Sequence, residues 1–115
     1  MTGPKVLFAE FTALPGQEET VAALLADLTV RVWAEPGCVE FAPSRLASQP
    51  SRFFVYEVYR DEEAFAAHIG AAYGAEFNAR LGPLIVEDGS QLTWLEPLEG
   101  VASAGGPSAA GPLGA

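Results

Sequence analysis

The chain has 115 residues, half of them hydrophobic, with 15 acidic side chains against 6 basic ones and a formal net charge of -9. That length fits one compact domain with its own core rather than two, and a single cysteine excludes a disulfide framework and a zinc cluster. The acidic balance argues against nucleic acid or an anionic membrane as partner, no apolar run approaches the ~20 residues of a membrane span, and residues 1–5 lack the basic and apolar regions of a signal peptide, so a soluble, cytoplasmic domain is expected.

Residues 5–13 read as a strand: Val6, Leu7, Phe8 and Phe11 are strand formers, and Leu14-Pro15-Gly16 ends the run. A helix follows. Glu18 and Glu19 fall in its first turn, where the helix dipole favours acids. Val21, Leu25, Leu28 and Val32 recur at helical spacing. Glu35-Pro36-Gly37 stops the helix, because a residue before proline avoids helical geometry. Residues 38–47 read as a second strand, in which Pro43 removes a ladder donor and so predicts an edge or a bulge. Ser48-Gln49-Pro50-Ser51 reads as a turn.

Residues 52–59 make the strongest strand. Phe53, Val55, Glu57 and Tyr59 point one way and Phe54, Tyr56 and Val58 the other. Asp61 suits the N-cap of a second helix, followed by Glu62 and Glu63, with Phe65 and Ile69 on the core face and Gly70 as a breaker. Tyr73, Phe77 and Leu81 form the stripe of a further helix that ends at Gly82-Pro83. Leu92, Trp94 and Leu95 belong to a last strand. Residues 100–115 are uncharged and rich in Gly, Ala and Pro, a composition that predicts a flexible tail; residues 1–99 form the expected domain.

The order β-α-β-β-α-β is the split pattern of ferredoxin-like α+β folds. It predicts a four-stranded antiparallel sheet with the helices on one face. The third strand is apolar on both faces, so the face of Phe54, Tyr56 and Val58 needs another cover. A large exposed apolar patch marks an interface. The expectation is a homodimer with the sheets face to face; loops or the tail are the alternative cover.

Three segments carry a family resemblance: Pro15-Gly16-Gln17-Glu18, then Ala34-Glu35-Pro36-Gly37-Cys38, then Arg52-Phe53-Phe54-Val55-Tyr56-Glu57-Val58-Tyr59 running into Asp61-Glu62-Glu63-Ala64-Phe65-Ala66-Ala67-His68. In this order and spacing the chain resembles the antibiotic biosynthesis monooxygenase family of dimeric α+β barrels, over residues 6–97. The resemblance implies a ferredoxin-like protomer paired through its sheet. The family is chemically mixed. Some members oxygenate quinols or polyketide aromatics without a cofactor, some degrade haem, and related proteins isomerise or dehydrate small molecules. This chain has Tyr59 where the family often has tryptophan, and Tyr73 where it often has a second histidine. With Ala9 and Phe11 on the first strand and no histidine after His68, the axial imidazole of a haem site is missing.

The resemblance therefore implies a cofactor-independent monooxygenase that oxidises a small aromatic, quinol or polyketide-like hydroxyarene with molecular oxygen. A non-oxygenase isomerase or cyclase, and a non-catalytic small-molecule-binding dimer, stay open on the same scaffold. His68 is the only histidine, suited to general-base work or simply half-buried and satisfied. Glu57 stands mid-strand between apolar neighbours. Burial would raise its pKa and make it a base; the alternative is a structural partner for Arg80 or Arg31. Tyr59 and Tyr73 read either as donors to a substrate carbonyl or as core aromatics, and Phe11 and Phe77 complete the expected aromatic lining. Trp33 and Trp94 read as core anchors, Cys38 as a small structural residue, and the acidic pairs at 18–19 and 62–63 as helix-start charges rather than metal ligands.

Overall fold

A computed structural model describes residues 3–98; the predicted tail and the boundary at residue 99 lie outside the described residues. The strands are β1 (Lys5–Thr12), β2 (Cys38–Leu46), β3 (Gln49–Tyr59) and β4 (Gln91–Leu95). The helices are α1 (Glu18–Trp33), α2 (Glu62–Ile69) and α3 (Ala72–Leu81), with a 3₁₀ turn at Gly82–Leu84. The strands form one antiparallel sheet in the order β2-β3-β1-β4, and the molecule is the expected ferredoxin-like α+β fold. No described helix is long and apolar enough to cross a membrane.

Register explains which side chains share a face. Leu7 pairs with Glu57, Ala9 with Val55 and Phe11 with Phe53, so β1 and β3 present Leu7, Ala9, Phe11, Phe53, Val55, Glu57 and Tyr59 together, all buried. The helices cover this face. Val21, Leu25 and Val32 of α1 and Phe77 and Leu81 of α3 close the core over it. Pro43 lies on the edge strand β2, where a missing donor costs least, while the bulges fall at the two ends of that strand. The turn between β2 and β3 is tighter than the sequence suggests: Gln49 already belongs to β3.

Local rules set the helix ends. The Asp61 side chain accepts the Ala64 backbone N–H at 2.8 Å, an N-cap that satisfies one of the orphan donors of α2. Gly70 caps α2, and α3 restarts at Ala72. Gly16, before α1, holds φ at 85°, the left-handed region in which only glycine is at ease. Gly37 is fixed by space instead. A Cβ there would lie 2.3 Å from the Ala64 Cβ, so the turn after α1 touches the backbone of α2. Gly37→Ala is expected to cost about 1–3 kcal/mol by overpacking. Ala64→Gly in the same chain should return part of it, and urea denaturation of both variants reads the effect. A Gly37→Ala protein as stable as the wild type would contradict this close packing.

Several sequence expectations change. Ile69 does not reach the core; it is 64% exposed. Trp33 and Trp94 are not core anchors. Trp33 projects outward and donates its indole N–H to the Phe41 carbonyl at 2.9 Å; Trp94 is half-exposed against the Phe65 edge, with Lys5 over its ring. On the helix-free face, Val58 is buried with its cross-strand partner Val6, so the open apolar area there consists of Phe8, Phe54 and Tyr56, with Leu95 on the edge strand β4. Phe8, Phe54 and Tyr56 line a shallow depression with Ala42 and Ser44.

Candidate functional site

A cavity of about 430 Å³ lies between the sheet and the helices. Its floor is Leu7, Ala9, Val55 and Glu57 of the sheet, and its helical walls include Leu28, Phe65, His68 and Phe77. Residues 88–90, in the loop between the 3₁₀ turn and β4, line its rim. That loop is tied down at its start. Glu87 accepts hydrogen bonds from the Thr12 backbone N–H at 2.7 Å and from the Thr12 hydroxyl at 2.8 Å, and Val86 N–H bonds the Thr12 carbonyl. The lining is mostly apolar; apart from Asn78 and the rim residues Asp88 and Ser90, two polar groups line it, the general character of a small-molecule site.

Those two groups are Glu57 and His68. Glu57 stands near the C-terminal end of β3 and is 6% exposed. The Tyr59 hydroxyl, two residues along the same strand face, donates to Glu57 Oε1 at 2.7 Å. His68 comes from the last turn of α2 and places Nε2 4.0 Å from that same Oε1. Its ring lies against Tyr59, centroids 4.7 Å apart, with Phe41 and Phe65 beside it. Its other nitrogen, Nδ1, is 3.0 Å from Glu35 Oε2, and the Tyr73 hydroxyl donates to that same Glu35 oxygen. Two hydrogen-bonded sets, Tyr59–Glu57 and Tyr73–Glu35–His68, thus meet where His68 faces Glu57 at the cavity wall.

Burial sets the electrostatics. It pushes the Glu57 carboxyl above its ordinary value; the Tyr59 hydrogen bond and His68 pull it down, and Glu35 pushes it up. The Tyr59 and Tyr73 hydroxyls are both pushed up, first by burial and then by the carboxylates they face, and so stay protonated donors. Burial likewise pushes the Cys38 thiol up to about 11, with Glu35, Glu57 and Glu40 adding to it. A thiol so far from ionisation is no nucleophile. Among the described residues, no cluster of three or more His, Cys, Asp or Glu is arranged to hold a metal ion.

The raised Glu57 pKa has a measurable consequence. The folded state holds the Glu57 proton to a higher pH than the unfolded chain does. Its contribution to stability is therefore full below the unfolded carboxylate value and is lost as pH rises through the folded one. Glu57→Gln keeps an acceptor for Tyr59 and cannot ionise. Its stability relative to the wild type is expected to climb as pH rises from about 4 upward, read from urea midpoints across pH. Parallel stability curves for the two proteins would refute a buried, titrating Glu57.

The structure brings His68, Glu57 and Phe77 to the cavity wall. Tyr59 lies one layer behind, fully buried, its hydroxyl committed to Glu57. Tyr73 faces the far side of Glu35, in a groove between α1 and α3 where Arg31 stacks over its ring. Phe11 is not a lining residue; it is stacked on Phe53 inside the core at 5.8 Å. Arg31 and Arg80 do not pair with Glu57, whose place beside Tyr59 and His68 is filled without them. Sequence reasoning missed Glu35, which reads as a helix terminator beside Pro36. Nothing local ties it to a histidine 33 positions away.

Solved proteins share this architecture, and two illustrate it. One from Mycobacterium tuberculosis superposes with a TM-score of 0.79 at 27% identity, covering 88% of this chain and all of its own. One from Pseudomonas aeruginosa superposes with a TM-score of 0.78 at 26% identity, covering 85% of this chain and 97% of its own. No curated protein matches the sequence. The family model for antibiotic biosynthesis monooxygenases matches residues 5–85. That span takes in Glu57 and Tyr59 on the sheet, His68 on its helix and the Glu35 turn between them, and by it the chain belongs to the antibiotic biosynthesis monooxygenase family.

Proposed function

We propose that the protein is a cofactor-independent monooxygenase that oxidises a small aromatic, quinol or polyketide-like hydroxyarene with molecular oxygen. The observation that carries this reading is the meeting of His68 and Glu57 at the end of an apolar cavity of about 430 Å³. The volume falls in the range of small-molecule sites, roughly 300–1,000 Å³. Family membership supports oxygen chemistry on such a substrate.

The reaction asks for a base, a dry pocket and little else. For a substrate with a reactive CH₂ flanked by aromatic rings, His68 takes one C–H proton at Nε2. The resulting carbanion passes electrons to oxygen, and a C–O bond forms to give a peroxide anion. The imidazolium returns its proton to the outer peroxide oxygen. Glu57, the nearby acceptor, takes the second C–H proton as the carbonyl forms and the O–O bond breaks, and the departing hydroxide takes that proton back from Glu57 to leave as water. One oxygen atom enters the product and one leaves as water. Apolar walls keep solvent from the carbanion and the peroxide. Phe77 and Phe65 supply aromatic surface for the ring system.

We further propose that the working unit is a homodimer joined through the helix-free sheet face, where Phe8, Phe54 and Tyr56 surround an apolar depression. Sedimentation at micromolar concentration should give twice the 12.1 kDa chain mass; a monomer would refute it. The activity is tested by oxygen uptake with a panel of quinols and anthrones. Uptake well above autoxidation supports the reading. None across the panel overturns it, and anaerobic turnover of a carbonyl compound would assign the pocket to isomerase or cyclase chemistry instead.

A further inference from the structure

We infer that Glu35 is the positioning residue of this site: its carboxylate, held by the Tyr73 hydroxyl, fixes His68 with the proton on Nδ1 and leaves Nε2 bare toward Glu57 and the cavity. The inference deepens the proposed function and rests on the reading of His68 as the base.

The geometry assigns the two ring nitrogens different neighbours. Nδ1 is 3.0 Å from Glu35 Oε2, within hydrogen-bond distance, whereas Nε2 is 4.0 Å from Glu57 Oε1, beyond it. A carboxylate only accepts, so the nitrogen in contact with it carries the hydrogen. A neutral imidazole has one N–H, and the opposite nitrogen is then an acceptor. Left alone, an imidazole has no carboxylate to choose for it. Here the choice is made by a residue from another part of the chain, the turn after α1.

Glu35 is itself held. Tyr73, from α3, donates to the oxygen that meets His68, and α1 ends in a turn that packs without a gap against α2 at Gly37 and Ala64. The carboxylate side chain is 16% exposed and that of His68 15%. Glu35 does not line the cavity. It borders a separate outer depression with Arg60, Glu63 and Tyr73. Its effect on a substrate must therefore pass through the imidazole. It also faces the cation that His68 becomes when it accepts a proton, as the third group of a nucleophile–base–carboxylate triad does. The other titratable groups around the ring are Glu57 and Tyr59 of β3 and Cys38 of β2, and the hydroxyl and thiol stay protonated.

Because His68 is the sole histidine, ¹⁵N-labelled full-length protein reports its tautomer without ambiguity and without substrate. Long-range ¹H–¹⁵N correlation spectra of the neutral ring are expected to show Nδ1 protonated and Nε2 bare. In Glu35→Ala the proton should move to Nε2 in most molecules, and in Glu35→Gln, whose amide oxygen still accepts, it should stay on Nδ1. In turnover, Glu35→Ala should lower kcat by 10-fold or more with KM changed less than threefold. A wild-type ring protonated on Nε2 would overturn the inference whatever the variants do. So would a Glu35→Ala ring that keeps the wild-type tautomer. If Glu35→Ala fails to fold, by near-ultraviolet circular dichroism, the wild-type tautomer and a Tyr73→Phe protein with a weakened preference carry the test. A correct tautomer without oxygen uptake would separate the two claims: the positioning stands and the oxygenase reading falls.

Discussion

His68→Ala should lower kcat/KM for oxygen-consuming turnover by about 10²- to 10⁴-fold, the range that a positioned general base contributes. The side chain is held at Nδ1 by Glu35 at 3.0 Å, faces Glu57 with Nε2 at 4.0 Å, and is packed by Tyr59, Phe41 and Phe65. Its removal takes away the only imidazole in the chain. Truncation also leaves Glu35 and Glu57 facing a small void, so some stability will be lost. The assay must therefore be run on folded protein, with circular dichroism as the control. A folded His68→Ala enzyme with more than a tenth of wild-type kcat/KM would remove His68 from the mechanism. Oxygen uptake and product formation should fall together, since one proton transfer gates both.

Phe11→Ala is expected to cost about 3–5 kcal/mol, the usual loss for a buried phenylalanine truncated in a packed core. Phe11 is 1% exposed and stacks on its cross-strand neighbour Phe53, with planes 20° apart. It belongs to the same buried cluster as Phe53 of β3 and Val21 and Leu25 of α1, so losing the ring leaves a cavity inside a packed core. For a domain whose whole stability is about 5–15 kcal/mol, such a loss approaches global unfolding. Urea or thermal denaturation reads it directly. The same variant separates two roles. As a core residue, Phe11 should change stability and leave KM of the folded fraction nearly unaltered. A loss under 1 kcal/mol together with a raised KM would place Phe11 at the substrate instead.

The arrangement of elements was legible because the local signals agree with one another. The spacing of Val21, Leu25 and Val32 names the buried face of α1, and the alternation from Phe53 to Tyr59 names the buried face of β3. Asp61 marks the start of α2 through its own side-chain chemistry. Surface details were less legible. Val58 is buried although its face carries no helix, and Trp33 is exposed although tryptophan is large and apolar; both outcomes depend on what three-dimensional neighbours leave uncovered. In the site, His68 and Glu57 stood out because an isolated imidazole and a carboxylate inside an apolar run are chemically conspicuous. Glu35 did not, because an acid before proline already has a local reason to be there. Tyr59 and Tyr73 were visible as aromatics but not as donors to carboxylates, since a hydroxyl's partner is set by tertiary packing. Phe11 was misplaced by face counting alone: it shares the cavity's face of the sheet but lies beyond the cavity's end.

The anchoring of the rim loop divides the molecule into two independently adjustable parts. Val86 and Glu87 fasten the start of the rim loop to Thr12 at the far end of β1, while the base group is assembled from β3, α2, α3 and the turn at Glu35. The mouth and the reactive end of the cavity therefore share few supports. Lengthening or shortening the segment between Glu87 and Gln91 would resize the opening without shifting the imidazole. A scaffold built this way can exchange one guest molecule for another by loop surgery alone, which makes it a natural starting point for redirecting selectivity while the reactive chemistry is left in place.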